Sequence, residues 1–502
     1  MSAPSLKLNI IANYASSAWN ALANLVFAPV FLAYLGVEAY GLIGTFILLQ
    51  SCLTLMDMGL GPALNRSMAL FSAGTLKPQG IRDLLRSIEW IVIGPAIAVA
   101  AALWMAASWL GLNWLKVEHL PQSQVSQALA IMGLVLGLRL VENIYRSGLN
   151  GLQRQVALSL LTIVTTTLRS AGAALVLIFI SPTIPAFFQW QAVVALVSVV
   201  GTRMLLYRHL PAGERAARFS PVALGEVGRF AGGMLGITVL SLLLSQVDKF
   251  ILLKLRPLTE YGYYALAIAA ASAILIPVGP ITQALLPRMS AMMARGDEAE
   301  VAALYHEAAR VINALVASMA FVLMGFAEPI LRLWTANPEI AANVAPLLTV
   351  YVAGTMLNAV ASMPYLLQLA TGWTGLTLRV NSIALVLSGA ALAYAIPNYG
   401  ALGASWVWAL LNLALVSVVP VIMHRRILPA EVRIWYVQDV ALPLVLAGSI
   451  VLCARQFGIP QGIGWTVVVV AVTALLALGA SLCSVPRIRR MAGVQVRAFL
   501  GR

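Results

Sequence analysis

The sequence predicts an all-α integral membrane protein with about 14 transmembrane helices. Hydrophobic side chains make up 61% of the 502 residues and charged side chains only 10%, a composition that a water-soluble fold of this length could not keep off its surface. Apolar runs of about 20 residues, the length that an α-helix needs to cross a bilayer, recur along the whole chain. The run 467–480 lacks the alternation of polar and apolar residues that marks a transmembrane β-strand. Helices therefore account for the hydrophobic segments.

Breaks at glycine, proline and charged residues divide the chain into three groups of predicted spans. The first group of six lies near 11–35, 40–71, 87–112, 124–149, 156–180 and 186–207. The second group of six lies near 228–255, 261–287, 308–333, 344–369, 376–396 and 400–423. Two further spans lie near 435–454 and 463–484. We therefore expect an N-terminal six-helix lobe at 1–220, a C-terminal six-helix lobe at 221–432, and two additional helices with a basic tail at 433–502.

The basic residues alternate between the two sides of the predicted membrane segments. About nineteen Lys and Arg residues lie in one set of alternate connections, and about five lie in the opposite set. Because Lys and Arg are enriched in cytoplasmic loops, this distribution predicts that both termini are cytoplasmic and that the number of helices is even. Membrane orientation thus explains the net charge of +14 without a nucleic-acid partner. The first apolar segment lacks the pattern of a removable signal peptide, so we expect it to remain as the first helix.

The two groups of six spans look like copies of one another. Three residue pairs share an offset of 222 residues, namely Glu38 with Glu260, Arg66 with Arg288, and Gly74 with Gly296. In both copies the Glu is followed closely by Tyr and Gly. Because six is an even number, both copies enter the membrane from the same side and are parallel repeats. Transporters with such repeats commonly bind a substrate between the two halves, so the pattern favours a transporter.

Three motifs in the second, seventh and eighth predicted spans are distinctive. They read Asp57-Met-Gly-Leu-Gly-Pro-Ala-Leu-Asn-Arg66, Ser245-Gln-Val-Asp-Lys-Phe-Ile-Leu252 and Glu260-Tyr-Gly-Tyr-Tyr264. These motifs resemble the Wzx-type polysaccharide flippases of the multidrug, oligosaccharidyl-lipid and polysaccharide exporter superfamily. The resemblance implies a V-shaped transporter of two six-helix lobes that moves undecaprenyl-pyrophosphate-linked oligosaccharide across the bacterial inner membrane. It also implies H+ or Na+ as the coupling ion, membrane lipids and other membrane proteins of polysaccharide assembly as partners, and no cofactor.

Arginine is the side chain that we expect to bind the pyrophosphate, because its planar guanidinium donates to phosphate through a fork of N–H groups. Arg146 and Arg169 lie within predicted spans and are the first candidates, together with Arg139. The repeat-related Arg66 and Arg288 are candidates at the cytoplasmic mouth. For these two residues the alternative is that they anchor their helices at the lipid headgroups.

Three carboxylates are candidates for coupling transport to an ion gradient, because a buried carboxylate can take up a proton or a cation. They are Asp57, Glu142 and Asp248. Glu142 lies three and four residues from Arg139 and Arg146 on one helix face and can pair with either of them, and a structural ion pair of Arg139 with Glu142 is the favoured interpretation. The residue after Asp248 is a lysine, which can neutralise it.

Two asparagines of the first span, Asn20 and Asn24, lie one helical turn apart. They are candidates for contacts with sugar hydroxyls, or for hydrogen bonds that bridge helices.

Other functions remain open at this point. The additional helix pair is compatible with a lipid II flippase of peptidoglycan synthesis. A multidrug or cation antiporter of the same superfamily is a further alternative, although twelve helices and an acidic cavity are then expected. The four histidines and three cysteines show no metal-binding spacing, and the chain lacks a Walker-type glycine-rich loop. We therefore expect neither a metal site nor an enzyme.

Overall fold

The structure of the chain, a computed structural model, describes residues 6–56, 59–74, 76–211, 215–220, 239–240, 242–458 and 462–486. Helices dominate these residues, and among them the only β-type pairing is an isolated bridge between Lys116 and Pro257. The predicted all-α membrane fold is thus confirmed. The chain forms two compact units, Met1–Gly262 and Tyr263–Arg502. The predicted domain boundaries at 220 and 432 stay a prediction.

The first unit contains the helices of the first predicted group. Its helices are α1 (Leu6–Met56), α2 (Leu60–Ser72), α3 (Pro78–Trp109, continued by a π-helical turn at Leu110–Trp114), α4 (Gln122–Gly151), α5 (Gln155–Phe179), α6 (Ile184–His209), α7 (242–255) and the start of α8 (Leu258–Ala271). α1 holds one predicted span and the start of the next. Its backbone breaks at Gly36, where φ is 79°, a value that side chains with a β-carbon rarely adopt.

The second unit begins within α8 and contains the remaining helices. These are α9 (Val278–Arg295), which follows a 3-10 turn at Ser272–Leu275, α10 (Glu298–Gly325), α11 (Ala327–Thr335), α12 (Pro338–Val360), α13 (Ser362–Ala370), α14 (Thr374–Ile427), α15 (Val432–Ile434, continued by a π-helical segment at Trp435–Ala441), α16 (Leu442–Gln456) and α17 (Ile463–Leu482). α14 breaks at Gly400, so it again joins two predicted spans. α16 and α17 are the predicted additional pair.

Eleven helices in the described part of the chain are long and apolar enough to cross a membrane. Two of these segments have 43 and 53 residues, so each is roughly 65–80 Å long at 1.5 Å per residue, about twice the thickness of the hydrocarbon core. Each of the two can therefore cross the membrane twice. The predicted span near 228–255 lies partly outside the described residues, so the count of 14 stays a prediction.

The predicted repeat has a counterpart in the backbone. Gly74 follows the end of α2 and Gly296 follows the end of α9, and their φ angles are 79° and 78°. A left-handed glycine after a helix leaves the last carbonyl groups partnered and stops the helix. The two glycines that the sequence places 222 residues apart thus end equivalent helices in the same conformation.

Close packing of α3 and α4 fixes the orientation of α4 in the first unit. A β-carbon at Gly137 would lie 2.6 Å from the carbonyl oxygen of Ala96, and one at Gly133 would lie 3.0 Å from that of Ala100. Only glycine therefore allows the two backbones to approach this closely. Leu140 and Ile144 of α4 join a buried apolar cluster with α2, α3 and α6. The neighbouring face of α4 carries the polar residues described next.

Candidate functional site

A cavity of about 300 Å³ lies inside the first unit, between α1, α4, α5 and α6. Most of its lining is polar, and the polar residues are Asn20, Gln50, Arg139, Glu142, Asn143, Arg146, Thr162, Thr165, Thr166, Arg169 and Ser198. All of them belong to helices that are long and apolar enough to cross a membrane. Polar and charged groups in such helices are costly unless they face one another, water or a ligand.

Two helices present their polar residues to the cavity at the same spacing. On α4 these are positions 139, 142, 143 and 146, and on α5 they are positions 162, 165, 166 and 169. Residues at i, i+3, i+4 and i+7 share one face of an α-helix. The cavity wall therefore consists of a charged stripe on α4 and a threonine stripe on α5 that ends in Arg169.

Glu142 is the buried carboxylate of the cavity, with 5% of its surface exposed. The hydroxyl of Ser198 donates a hydrogen bond of 2.7 Å to its Oε1. Arg146 Nη1 also donates to Oε1, at 3.3 Å, which makes an ion pair one helical turn apart. The ion pair thus forms with Arg146 and not with Arg139, the partner that the sequence favoured. The Arg146 side chain keeps 32% exposure, so part of its guanidinium remains open to the cavity.

Arg169 finds its partner on another helix. Its Nη2 donates to the side-chain oxygen of Asn20 on α1, at 2.8 Å. Asn20 is neutral, so this hydrogen bond holds the guanidinium in place without cancelling its charge. Among the ion pairs of the described residues, none involves Arg169.

Arg139 has the least compensation of the three cavity arginines. Its Nε is buried and has no hydrogen-bond partner within the described part of the chain. A buried donor without a partner costs about 1–3 kcal/mol, and more when the group is charged. We name Arg139, Glu142, Arg146 and Arg169 the cavity cluster. Its three guanidinium groups against one carboxylate leave two positive charges.

The other sequence candidates lie outside this cavity. Arg66 on α2 and Arg288 on α9 are exposed, as is Asn24 on α1. Asp248 on α7 forms an ion pair of 3.3 Å with Lys249, the neighbour that the sequence suggested. Asp57 lies outside the described residues.

Sequence reasoning missed another buried carboxylate of the first unit, Glu89 on α3, which has 4% exposure. Its Oε1 accepts hydrogen bonds from the hydroxyls of Tyr145 at 2.8 Å and Tyr207 at 3.1 Å, and its Oε2 pairs with Arg86 at 3.0 Å. Glu89 thus connects α3 to α4 and α6. Its position in an apolar helix, three residues from an arginine, was the available signal.

The family profile of polysaccharide biosynthesis proteins matches residues 31–337, which is more than half of the chain. The chain belongs to this family. The match includes every polar residue of the cavity except Asn20. It confirms the resemblance that the motifs predict. The cavity cluster thus lies within the part of the chain that matches the polysaccharide biosynthesis family. A search of curated protein sequences found no significant match.

Solved structures of low sequence identity share the fold of this family member. The lipid II flippase MurJ in an inward closed conformation is 13% identical with a TM-score of 0.69, and the match covers 95% of this chain and 98% of that chain. An inward-facing multidrug resistance MATE family transporter of the MOP superfamily is 12% identical with a TM-score of 0.64, covering 84% and 99%. A MOP superfamily transporter from Pyrococcus furiosus, whose binding pocket has reverse polarity, is 14% identical with a TM-score of 0.58, covering 85% and 95%. The fold is thus that of MurJ and MATE transporters.

Proposed function

We propose that this polysaccharide biosynthesis protein flips an undecaprenyl-pyrophosphate-linked oligosaccharide from the cytoplasmic to the periplasmic leaflet of the bacterial inner membrane. The observation that carries the proposal is the excess positive charge of the cavity cluster within membrane-spanning helices. The alternating distribution of Lys and Arg supports the proposed orientation with both termini in the cytoplasm.

The charge of the cavity cluster complements a pyrophosphate diester. Such a diester carries about two negative charges at neutral pH, and guanidinium groups bind phosphate oxygens through paired N–H donors. An uncompensated charge at the bilayer centre costs about 2.5–3.5 kcal/mol. A bound pyrophosphate would compensate Arg139 and Arg169, for which the described residues provide no ion pair.

The size of the cavity limits what it would enclose. A volume of about 300 Å³ lies at the lower end of the range of small-molecule sites. The pyrophosphate and the nearest sugar are therefore the parts of the substrate that we place there. Asn20, Asn143 and the α5 threonines supply donors and acceptors for sugar hydroxyls.

Glu142 is the carboxylate that we propose for coupling to a proton gradient. It is buried, and it holds one donor of Arg146, a residue that we propose binds pyrophosphate. Protonation of Glu142 would release that donor, so proton binding and anion binding would share one arginine. Na+ coupling, and coupling through Asp57 or Asp248, remain proposals that rest on the sequence alone.

A lipid II flippase is the second candidate function. Lipid II also presents a pyrophosphate beside its first sugar, so the same cavity chemistry would bind it. A cation antiporter is disfavoured, because the net positive charge of the cavity cluster repels cationic drugs.

The test is flipping in proteoliposomes that contain the purified full-length protein. A fluorescent undecaprenyl-pyrophosphate oligosaccharide, fluorescent lipid II and an organic cation are compared, each with and without an imposed proton or sodium gradient. We expect protein-dependent movement of the oligosaccharide lipid and inhibition by inorganic pyrophosphate.

The double variant Arg139→Gln/Arg169→Gln should lose this movement, while the matched double variant Arg66→Gln/Arg288→Gln should keep it. Movement of lipid II alone would replace the substrate with that of the second candidate. Movement of the organic cation alone would overturn the proposal.

A further inference from the structure

A second group of charged residues, one of them completely buried, lies in the second unit, where α10 meets the start of the C-terminal helix pair. One face of α10 presents His306, Arg310 and Asn313 at i, i+4 and i+7. Opposite them lie Glu431 and, within the π-helical segment Trp435–Ala441, Asp439. We name His306, Arg310, Glu431 and Asp439 the His306 cluster.

Asp439 is the centre of this cluster and is completely buried, with 0% exposure. Arg310 Nε donates to its Oδ1 at 2.6 Å, and His306 Nδ1 contacts its Oδ2. The side-chain amide of Asn313 donates to its backbone carbonyl at 2.7 Å. The π-helical segment adds one residue per turn relative to an α-helix, and functional groups often lie in such segments. Here it brings Asp439 against α10.

The two ring nitrogens of His306 face two different carboxylates. Nδ1 faces Asp439, and Nε2 lies 3.1 Å from Oε2 of Glu431. A neutral imidazole has one N–H donor and one lone pair, so one of these contacts would set a lone pair against a carboxylate oxygen. Both contacts are hydrogen bonds only when a proton is added, which makes the ring an imidazolium. The His306 cluster then holds two cations and two anions.

The other titratable side chains described near His306 are not arranged to bind this proton in its place. The ring of Tyr305 lies 5.2 Å from that of His306 and 5.5 Å from that of His424 on α14. His424 Nδ1 lies 2.7 Å from the carbonyl oxygen of Pro420 and its Nε2 is buried without a partner among the described residues, which is the arrangement of a neutral ring. Tyr436 donates its hydroxyl to the carbonyl of Val416. α17 contains no charged residue, and α16 contains only Arg455, in its last turn.

We propose that the His306 cluster is a proton-binding site that holds the C-terminal helix pair on α10. With the proton bound, each carboxylate has a cationic partner. Loss of the proton leaves two carboxylates facing Arg310 alone, so the contact between the π-helical segment and α10 weakens as the pH rises. Further along these helices the contact is apolar, through Ala317 and Val322 of α10 and Ala447 and Val451 of α16, and does not depend on pH. The effect is therefore local to residues 431–441.

Hydrogen exchange of the full-length protein in lipid nanodiscs tests this proposal. Protection of 431–441 is measured between about pH 6 and about pH 8.5, corrected for the intrinsic pH dependence of exchange, with 122–151 as the internal reference. We expect protection of 431–441 to fall about tenfold at the higher pH, reversibly, while the reference stays constant. Equal protection at both pH values would overturn the proposal.

Two histidine variants sharpen the test. His306→Gln cannot take up the proton, so its protection of 431–441 should be low and independent of pH. His119→Gln changes an exposed histidine and should keep the response of the intact protein. A normal pH response in folded His306→Gln would contradict the proposal.

NMR of isotope-labelled histidines in the intact protein covers the case in which His306→Gln fails to fold. The chain has four histidines, and at about pH 6 one of them should give an imidazolium signal with both ring N–H groups hydrogen-bonded, as the two carboxylates around His306 require. Absence of such a signal throughout the pH range would contradict the proposal. None of these measurements depends on what the protein transports, so a failure here is distinguishable from a failure of the proposed function.

Discussion

The cavity cluster and the His306 cluster contain similar charged side chains but differ in charge balance. The charges of the His306 cluster are balanced once a proton is bound, whereas the cavity cluster has an excess of positive charge. Each contains one buried carboxylate and at least one guanidinium group. In the His306 cluster, every charge faces an opposite charge once one proton is bound. In the cavity cluster, three guanidinium groups face one carboxylate, and Nε of Arg139 has no partner among the described residues.

This difference separates a structural role from a binding role. A group of charges that is complete within the protein connects helices, and removal of one member destabilises the fold. A group with a charge excess and an unpartnered donor can bind an anion, and removal of a member should then reduce binding. The predictions below test whether the two clusters differ in this way.

The largest expected effect is on transport by the double variant Arg139→Gln/Arg169→Gln. Each guanidinium contact with phosphate contributes about 1.5–3 kcal/mol, so flipping of the pyrophosphate-linked lipid should fall by roughly 100-fold or more. Thermal stability should stay equal or rise, because neither arginine has an ion pair in the described part of the chain and the buried Nε of Arg139 has no partner there. Flipping rates per inserted protein and the unfolding midpoint are measured together. If the variant folded poorly but its folded fraction still flipped the lipid, the two arginines would have a structural role rather than a binding role.

The second prediction concerns Asp439→Asn. The variant leaves Arg310 largely buried beside a neutral amide, so the free energy of unfolding should fall by about 3–5 kcal/mol. Chemical or thermal unfolding in detergent measures the loss. Pyrophosphate binding by the folded fraction should equal that of the intact protein. An unchanged unfolding midpoint would mean that the His306 cluster does not stabilise the fold.

The third prediction concerns Glu142→Gln, which should strengthen pyrophosphate binding rather than weaken it. Removal of the carboxylate frees Arg146 and raises the charge excess of the cavity cluster, so pyrophosphate should bind about 10-fold tighter. Competition binding at fixed ionic strength measures this gain. Weaker binding would mean that Glu142 positions Arg146 for the ligand rather than competing with it.

The smallest effects are expected at Arg66 and Arg288. Both side chains are exposed and lie outside the cavity, so Arg66→Gln and Arg288→Gln should change flipping less than about twofold per inserted molecule. Protease accessibility of the termini should also be measured, because loss of a basic residue can alter orientation. A tenfold loss of flipping in a correctly oriented variant would mean that these residues take part in substrate binding.

Helix periodicity predicted one wall of the cavity but not its partners. The spacing of Arg139, Glu142 and Arg146 placed them on one helix face, because local spacing fixes local geometry. The hydrogen bonds from Ser198 to Glu142 and from Arg169 to Asn20 join residues 56 and 149 positions apart, and no local pattern reports such distances. Threonines such as Thr165 escaped notice because they are common in membrane helices.

More of the fold than of the site could be predicted, because the fold depends on patterns along the chain and the site depends on contacts between distant residues. Hydrophobic length and repeat offset determine where helices lie, and the equivalent backbone at Gly74 and Gly296 agrees with the offset. The His306 cluster was not predictable, since His306 and Asp439 are 133 residues apart and lie in different predicted groups of helices. An apolar helix with one histidine and one arginine at i+4 gives no indication of its partner.

Binding of two lipids that differ by one phosphate tests the central claim most directly. Undecaprenyl pyrophosphate and undecaprenyl monophosphate share the same tail, and their affinities for the full-length protein in nanodiscs can be compared with those of Arg139→Gln/Arg169→Gln. We predict that the intact protein binds the pyrophosphate at least about 10-fold tighter and that the double variant loses this preference. Equal affinities for both lipids in the intact protein would contradict the assignment of the cavity cluster to the pyrophosphate.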